Sequence, residues 1–219
     1  MTFYTLIFGC CAISLLVLIL SYILYRKEYK LGLNIIWKAT EYSLIVITTL
    51  GIIYLILLDI NFLNYQKPIP HHDWESISLE DFKAFPRPED QKYSARICSK
   101  ITVNKDGDNF EVVAKFYPAQ SWSKYDSPNL DRLLTHELYH FHLTELYARK
   151  LRKALLEKSP SIDWKYLKKL NTENLNQEQS RYDKQTSHGI LLGEQLNWQN
   201  KIDSLLQQYE KYSDTNIYL

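Results

Sequence analysis

From Met1 to Tyr25 the chain carries no Asp, Glu, Lys or Arg, and a second uncharged run, Tyr42 to Leu58, lies between Glu41 and Asp59. Runs this apolar satisfy their backbone groups as helices, and the first is long enough to cross a hydrocarbon layer of roughly 30 Å at about 1.5 Å per residue. The second is near the lower limit for a span. The sequence therefore predicts a two-helix transmembrane hairpin over residues 1–65, with spans at about 4–25 and 42–60 and a connecting loop at 26–41. A cleavable leader is the competing reading of the first run, but it lacks a basic start and stays apolar too long before a small-residue cleavage site. In the loop Arg26, Lys27, Lys30 and Lys38 outnumber Glu28 and Glu41. Short basic loops stay in the cytoplasm, so everything after Leu58 is expected on the far side of a bacterial inner (cytoplasmic) membrane, periplasmic or extracellular. Tyr22, Tyr25, Trp37, Tyr42 and Tyr65 are placed to anchor spans at the interface.

The remainder reads as a folded domain. The 219 residues have a formal net charge of +1, and from Lys67 onward basic and acidic residues balance, so no nucleic acid or other anionic partner is expected. Three cysteines cannot make a disulfide framework; Cys98 stands alone after the apolar runs and reads as a small buried hydrophobe. Residues 66–92, punctuated by Pro68, Pro70, Pro86 and Pro88, form a tether and domain entrance, and 93–219 the domain itself. Within the tether, Ser78 to Phe82 suggests a capped helical turn, with Trp74, Phe82 and Phe85 available to pack beyond it. Ile97, Ser99, Ile101 and Val103 alternate with polar neighbours, Asp106 and Gly107 make a turn, and Phe110, Val112, Ala114 and Phe116 alternate again: a β-hairpin. Beyond Trp122 the period becomes helical, with breaks near Ser159 to Ser161 and Thr186 to Gly189.

The first of these helices carries a motif. Ser127 can cap it, Pro128 suits its first turn, and Leu130, Leu133, Leu134, Leu138 and Phe141 recur at buried-stripe spacing. Set into it is His136-Glu137-Leu138-Tyr139-His140, an H-E-x-x-H. Histidines four apart differ by only about 40° around a helix, so both imidazoles can reach one Zn2+ ion, and Glu137 is placed as general base toward water. Such a site hydrolyses amide bonds.

Zinc needs a further protein ligand. His142 lies about 200° around the helix from His140, and Glu145 is nearly opposite the histidine pair, so neither faces the same metal. Leu143 and Leu146 stand where the extended metzincin motif needs Gly and His. Downstream remain Glu173, Glu178, Asp183, Glu194 and His188. His188, in the polar break Tyr182 to Gly189, is the leading third ligand, with Asp183 the alternative as ligand or as the group that orients one. Tyr182 is a catalytic candidate, as hydrogen-bond donor to an oxyanion, or else core. Ser121 and Trp122 either buttress the cleft or anchor the hairpin. His71 and His72 read as solvated linker, and Arg149, Arg152, Lys153, Lys165, Lys168 and Lys169 as solvated helix faces.

Trp74 with Asp81 and Phe82, Ser121 with Trp122, Leu133 to Phe141, Ala148 to Leu151, and Tyr182 to Gly189 followed by Trp198 together resemble a bacterial family of predicted secreted zinc-dependent proteases, domain of unknown function 922. The resemblance covers about Trp74 to Leu206. It implies an α+β, zincin-like domain with a small antiparallel sheet, a long active-site helix and C-terminal helices. It also implies His136 and His140 as ligands, Glu137 as base and Tyr182 to His188 as source of the third ligand. His142 departs from the Asp usual there. The expected function is a membrane-anchored zinc metallopeptidase acting on a polypeptide. The alternatives are a zinc-stabilised envelope binding module without catalysis and a zinc amidase acting on cell-wall peptides.

Overall fold

Phe110, Val112, Ala114 and Phe116 occupy every second position of one strand, so their side chains leave the same face, and all four are buried. A computed structural model describes Ile19, Tyr22 and residues 32–59, 66–86, 90, 92–124, 129–157 and 163–218. It divides the chain into two compact units, Met1–Ile60 and Asn61–Leu219.

In the first unit a single helix, α1 (Gly32–Asp59), is described. Among the described residues no helix is long and apolar enough to cross a membrane. The expected transmembrane hairpin is thus corrected, and with it membrane anchoring, the membrane as a partner and the inner-membrane location with a periplasmic or extracellular domain. The physical reason lies in α1 itself. It runs unbroken through Lys38 and Glu41, residues assigned to the loop, and its uncharged part from Tyr42 to Leu58 rises only about 26 Å, short of a hydrocarbon layer of about 30 Å. The first apolar run, apart from Ile19 and Tyr22, lies outside the described residues.

The second unit is α+β. Its strands are β1 (Ile69–Pro70), β2 (Ala95–Arg96), β3 (Ser99–Asp106), β4 (Asn109–Phe116), β5 (Trp122–Ser123) and β6 (Asn216–Ile217). Strands β3 and β4 form the expected hairpin, in register from Ser99↔Phe116 to Asp106↔Asn109. The two-residue connection begins at Gly107, whose φ of 57° suits a residue without Cβ. The other side of β4 is shared antiparallel by β1 and β6, which pair with its two ends, and β2 pairs separately with β5. Residues 66–86 pack into the domain: Ile77, Leu79 and Phe82 are buried, whereas Phe85 is exposed. The backbone N–H of Ser78 donates to the Asp81 carboxylate at 2.9 Å, which holds the predicted turn.

Three helices complete the unit: α2 (Leu130–Glu157), α3 (Trp164–Thr186) and α4 (Leu192–Gln208). The predicted cap Ser127 and Pro128 lie outside the described residues. Asp163 caps α3 by accepting from the Lys165 N–H at 3.0 Å. Helix α2 lies between the sheet and the other two helices, and from Phe141 to Ala148 every residue is buried. Leu143, Leu146, Leu151 and Leu155 join Phe116, Tyr182, Trp198 and Ile202 in one core. A helix enclosed all round must partner its polar side chains internally, and α2 does. Arg152, 1% exposed, donates from Nη1 to Glu145 Oε1 at 2.8 Å and from Nε to the Val112 carbonyl at 2.9 Å. Arg152 is therefore no solvated residue, and Glu145, excluded from the metal by helix geometry, is its buried counter-ion.

Candidate metal centre

The side chains of His136 and His140 leave neighbouring positions on α2, and the last two turns of α3 bring Asp183 to them. His136 Nε2 lies 3.2 Å and His140 Nε2 2.9 Å from Asp183 Oδ1. The three donor atoms lie within 4.8 Å of one another. Ligand atoms about 2.0–2.1 Å from a tetrahedral zinc are about 3.3 Å apart, so two imidazoles and a carboxylate at these separations match a Zn2+ site.

The donor chemistry gives an independent test. His136 Nδ1 lies 3.0 Å from Gln195 Oε1, an acceptor, so Nδ1 carries the proton. His136 Nε2 then points its lone pair at a carboxylate oxygen, an arrangement that needs a cation between them, either a proton or a metal ion. The electrostatics agree. Burial alone pulls the His136 imidazole down, but the hydrogen bond that the Asp183 carboxylate accepts from it and the Glu137 charge push it above its ordinary value. Burial pushes the Asp183 carboxyl up, yet the two histidines outweigh it and hold it well below the usual carboxylate range.

Glu137 is buried, and its Oε2 accepts the backbone N–H of Ile97 at 2.8 Å. That bond fixes the carboxylate between α2 and the start of β3. Ser121, fully buried, holds the same strand entrance: its Oγ accepts the Cys98 N–H at 2.8 Å and donates to the Tyr117 carbonyl at 2.9 Å. Trp122 is buried beside it on β5.

The polar break between α3 and α4 is conformationally unusual. Ser187, His188 and Gly189 have φ of 50°, 53° and 78° in succession, three residues in the left-handed region. A Cβ at Gly189 would lie 3.0 Å from His136 Cγ, so the close approach to the imidazole also requires glycine. His188 Nδ1 stands 3.4 Å from Asp183 Oδ1, but His188 lies outside the converging donor set; its side chain is 49% exposed and its ring rests on Tyr93 at 4.9 Å. Tyr182 is fully buried, its ring stacked on His136 at 4.8 Å and 17°. Its hydroxyl donates to the His136 carbonyl at 3.2 Å, and Trp198 packs edge-on against it.

Two groups escape a reading from spacing: Gln195, which meets His136 at this centre, and His71, which packs on His142 away from it. Gln195 carries no sequence signal, since a lone Gln near a helix start is ordinary. His71, read as solvated linker, instead meets His142 Nδ1 through Nε2 at 2.8 Å, with Trp74 and Tyr139 packed edge-on around the His142 ring. Burial chiefly, then the neighbouring imidazole, pulls His71 down to about 2, and burial lowers His142 to about 4. The HExxH pair with Asp183 and Glu137 forms a buried zinc site of the kind catalytic zinc enzymes use. No protein-family model, curated protein or solved structure matches the chain.

Proposed function

We propose that this chain is a zinc-dependent metallopeptidase in which His136, His140 and Asp183 hold the metal and Glu137 is the general base. The observation that carries the reading is the convergence of two Nε2 atoms and one carboxylate oxygen beside a carboxylate that is itself anchored, Glu137 on Ile97 N–H. Zinc bound there supplies a Lewis acid for a carbonyl oxygen and brings the pKa of water to about 7. Glu137 takes the proton of the attacking water and passes it to the leaving nitrogen. His188, half-exposed and next to Asp183, faces the same region from a different loop and is available to contact substrate. Tyr182, with its hydroxyl bound to the His136 carbonyl, acts through His136.

Two further observations favour a peptide substrate. Among the described residues strand β3 is an edge of its sheet, and it begins two residues after Ile97, whose N–H holds Glu137, so an extended peptide can pair with it near the base. Immediately after Gly189 the chain exposes Ile190, Leu191 and Leu192, apolar side chains suited to peptide residues. The segment Tyr182 to Gly189 lies against H-E-x-x-H, which supports a distant relationship to the zinc-dependent protease family that the motifs resemble.

The test is incubation of the zinc-loaded chain with a diverse peptide library, with Glu137→Gln as control. Cleavage by the parent and none by Glu137→Gln, both holding one zinc, is expected. Equal cleavage by both, or a parent that binds zinc and cleaves no peptide, refutes the reading.

A further inference from the structure

Three hydrogen bonds around His136 close into a loop that starts and ends on that residue, and their directions follow one from another. The His136 backbone carbonyl can only accept, so Tyr182 Oη donates to it, at 3.2 Å. Having spent its proton, Tyr182 Oη accepts from Gln195 Nε2, at 2.6 Å. That donation orients the Gln195 amide and turns Oε1 toward His136 Nδ1, 3.0 Å away, which must then donate. All three residues are buried: His136 is 3%, Tyr182 0% and Gln195 4% exposed. In such a site an unmade hydrogen bond is expensive, so no member can turn without orphaning another.

From this closed loop we infer that Gln195 is a positioning residue: it fixes the Nδ1–H tautomer and the ring orientation of His136, so that Nε2 presents its lone pair to the metal. The inference rests on the zinc-site reading. Free imidazole exchanges tautomers and rotates; here the Tyr182 ring covers one side, Gly189 approaches the ring closely, and the Gln195 oxygen selects the protonated nitrogen. Donating the second ring N–H to a fixed acceptor also raises the basicity of the ligating nitrogen. Gln195 comes from α4, 59 residues beyond His136, and thereby makes the placement of that helix a condition of metal affinity.

The test measures zinc affinity of the full chain by competition with a chromogenic chelator, and the protonation pattern of the His136 ring by 15N NMR of the zinc-loaded protein. The parent is expected to show a protonated Nδ1 and a metal-bound Nε2. Gln195→Leu removes the acceptor and should weaken zinc binding about 10–100-fold. Gln195→Glu keeps an acceptor for Nδ1–H, and Tyr182 Oη turns its proton from the His136 carbonyl to the second carboxylate oxygen, so affinity should stay within about 3-fold of the parent. A folded Gln195→Glu that loses more than about 10-fold also overturns the inference, and a folding failure in the first variant does not shelter it. Gln195→Leu binding zinc as tightly as the parent, or a parent ring protonated on Nε2, overturns it. A parent that takes up no zinc overturns the metal site as well, which separates the two failures.

Discussion

Replacing Arg152 by Met tests how the active-site helix is locked into the domain. The guanidinium is 1% exposed and reaches three elements at once. Nε and Nη2 donate to the Val112 carbonyl on β4 at 2.9 and 2.8 Å, and Nη1 donates to the Tyr212 carbonyl near the C-terminus at 2.9 Å. Within α2 the partner is Glu145, at 2.8 Å to Oε1 and 3.3 Å to Oε2. Removing one member of a buried ion pair costs about 3–5 kcal/mol, because the other charge stays desolvated. Glu145 keeps Arg149 Nε at 3.0 Å, which places Arg152→Met near the lower end, about 3 kcal/mol. The double variant with Glu145→Leu removes the stranded carboxylate and leaves chiefly the two carbonyls short of a donor, about 1–2 kcal/mol. The double variant should therefore be more stable than the single one. Urea unfolding of the full chain with chelator present, followed by tryptophan fluorescence, reads both values. A single variant within about 1 kcal/mol of the parent, or a double variant that loses at least the sum of the two single losses, refutes the account.

Asp183→Ala should lower zinc affinity by more than about 100-fold while His188→Ala changes it by less than about 10-fold, measured as metal retained through dialysis against a graded chelator; the reverse order would make His188 the ligand. Gly189→Ala combines a φ of 78° with a Cβ 3.0 Å from the His136 ring, so it should weaken zinc binding as well as stability, and unchanged metal affinity would contradict the close approach. His71 has its pKa lowered to about 2 by burial and by His142, Arg149, Arg152 and His72. An unfolded imidazole titrates near 6.5, so this contribution is complete above that pH and is lost as pH falls. The loss is about 2 kcal/mol by pH 5. His71→Gln should remove about that much of the difference in stability between pH 7.5 and pH 5, and unfolding midpoints whose pH dependence matches the parent would refute it.

The parts of this molecule that were legible beforehand rest on local periodicity. Alternation predicted the β3–β4 hairpin, because strand side chains repeat every two positions and one face had to be buried, although β3 begins at Ser99, two residues after the alternation does, and runs on to Asp106. Four-residue spacing placed His136 and His140 side by side before any tertiary contact was known. Apolar composition was the weaker guide: it counted uncharged residues and missed that α1 passes through Lys38 and Glu41 without a break. The surface reading of Arg152 failed for a related reason, since a charge on a helix looks solvated until both faces of that helix are covered.

The chain order of residues thus dictated which groups could share a metal on one helix, an intrinsic matter of about 100° per residue. It left open which distant carboxylate or imidazole completes the set, because Asp183 and His188 are five residues apart on one segment and both belong to plausible donor types. Packing of α3 against α2 separates them, setting Asp183 Oδ1 2.9 Å from His140 Nε2 and leaving His188 half-exposed beyond a left-handed turn. Gln195 on α4 then selects the tautomer of His136. Those outcomes depend on contacts between helices joined through more than forty residues of chain, and no local pattern encodes a distance of that kind.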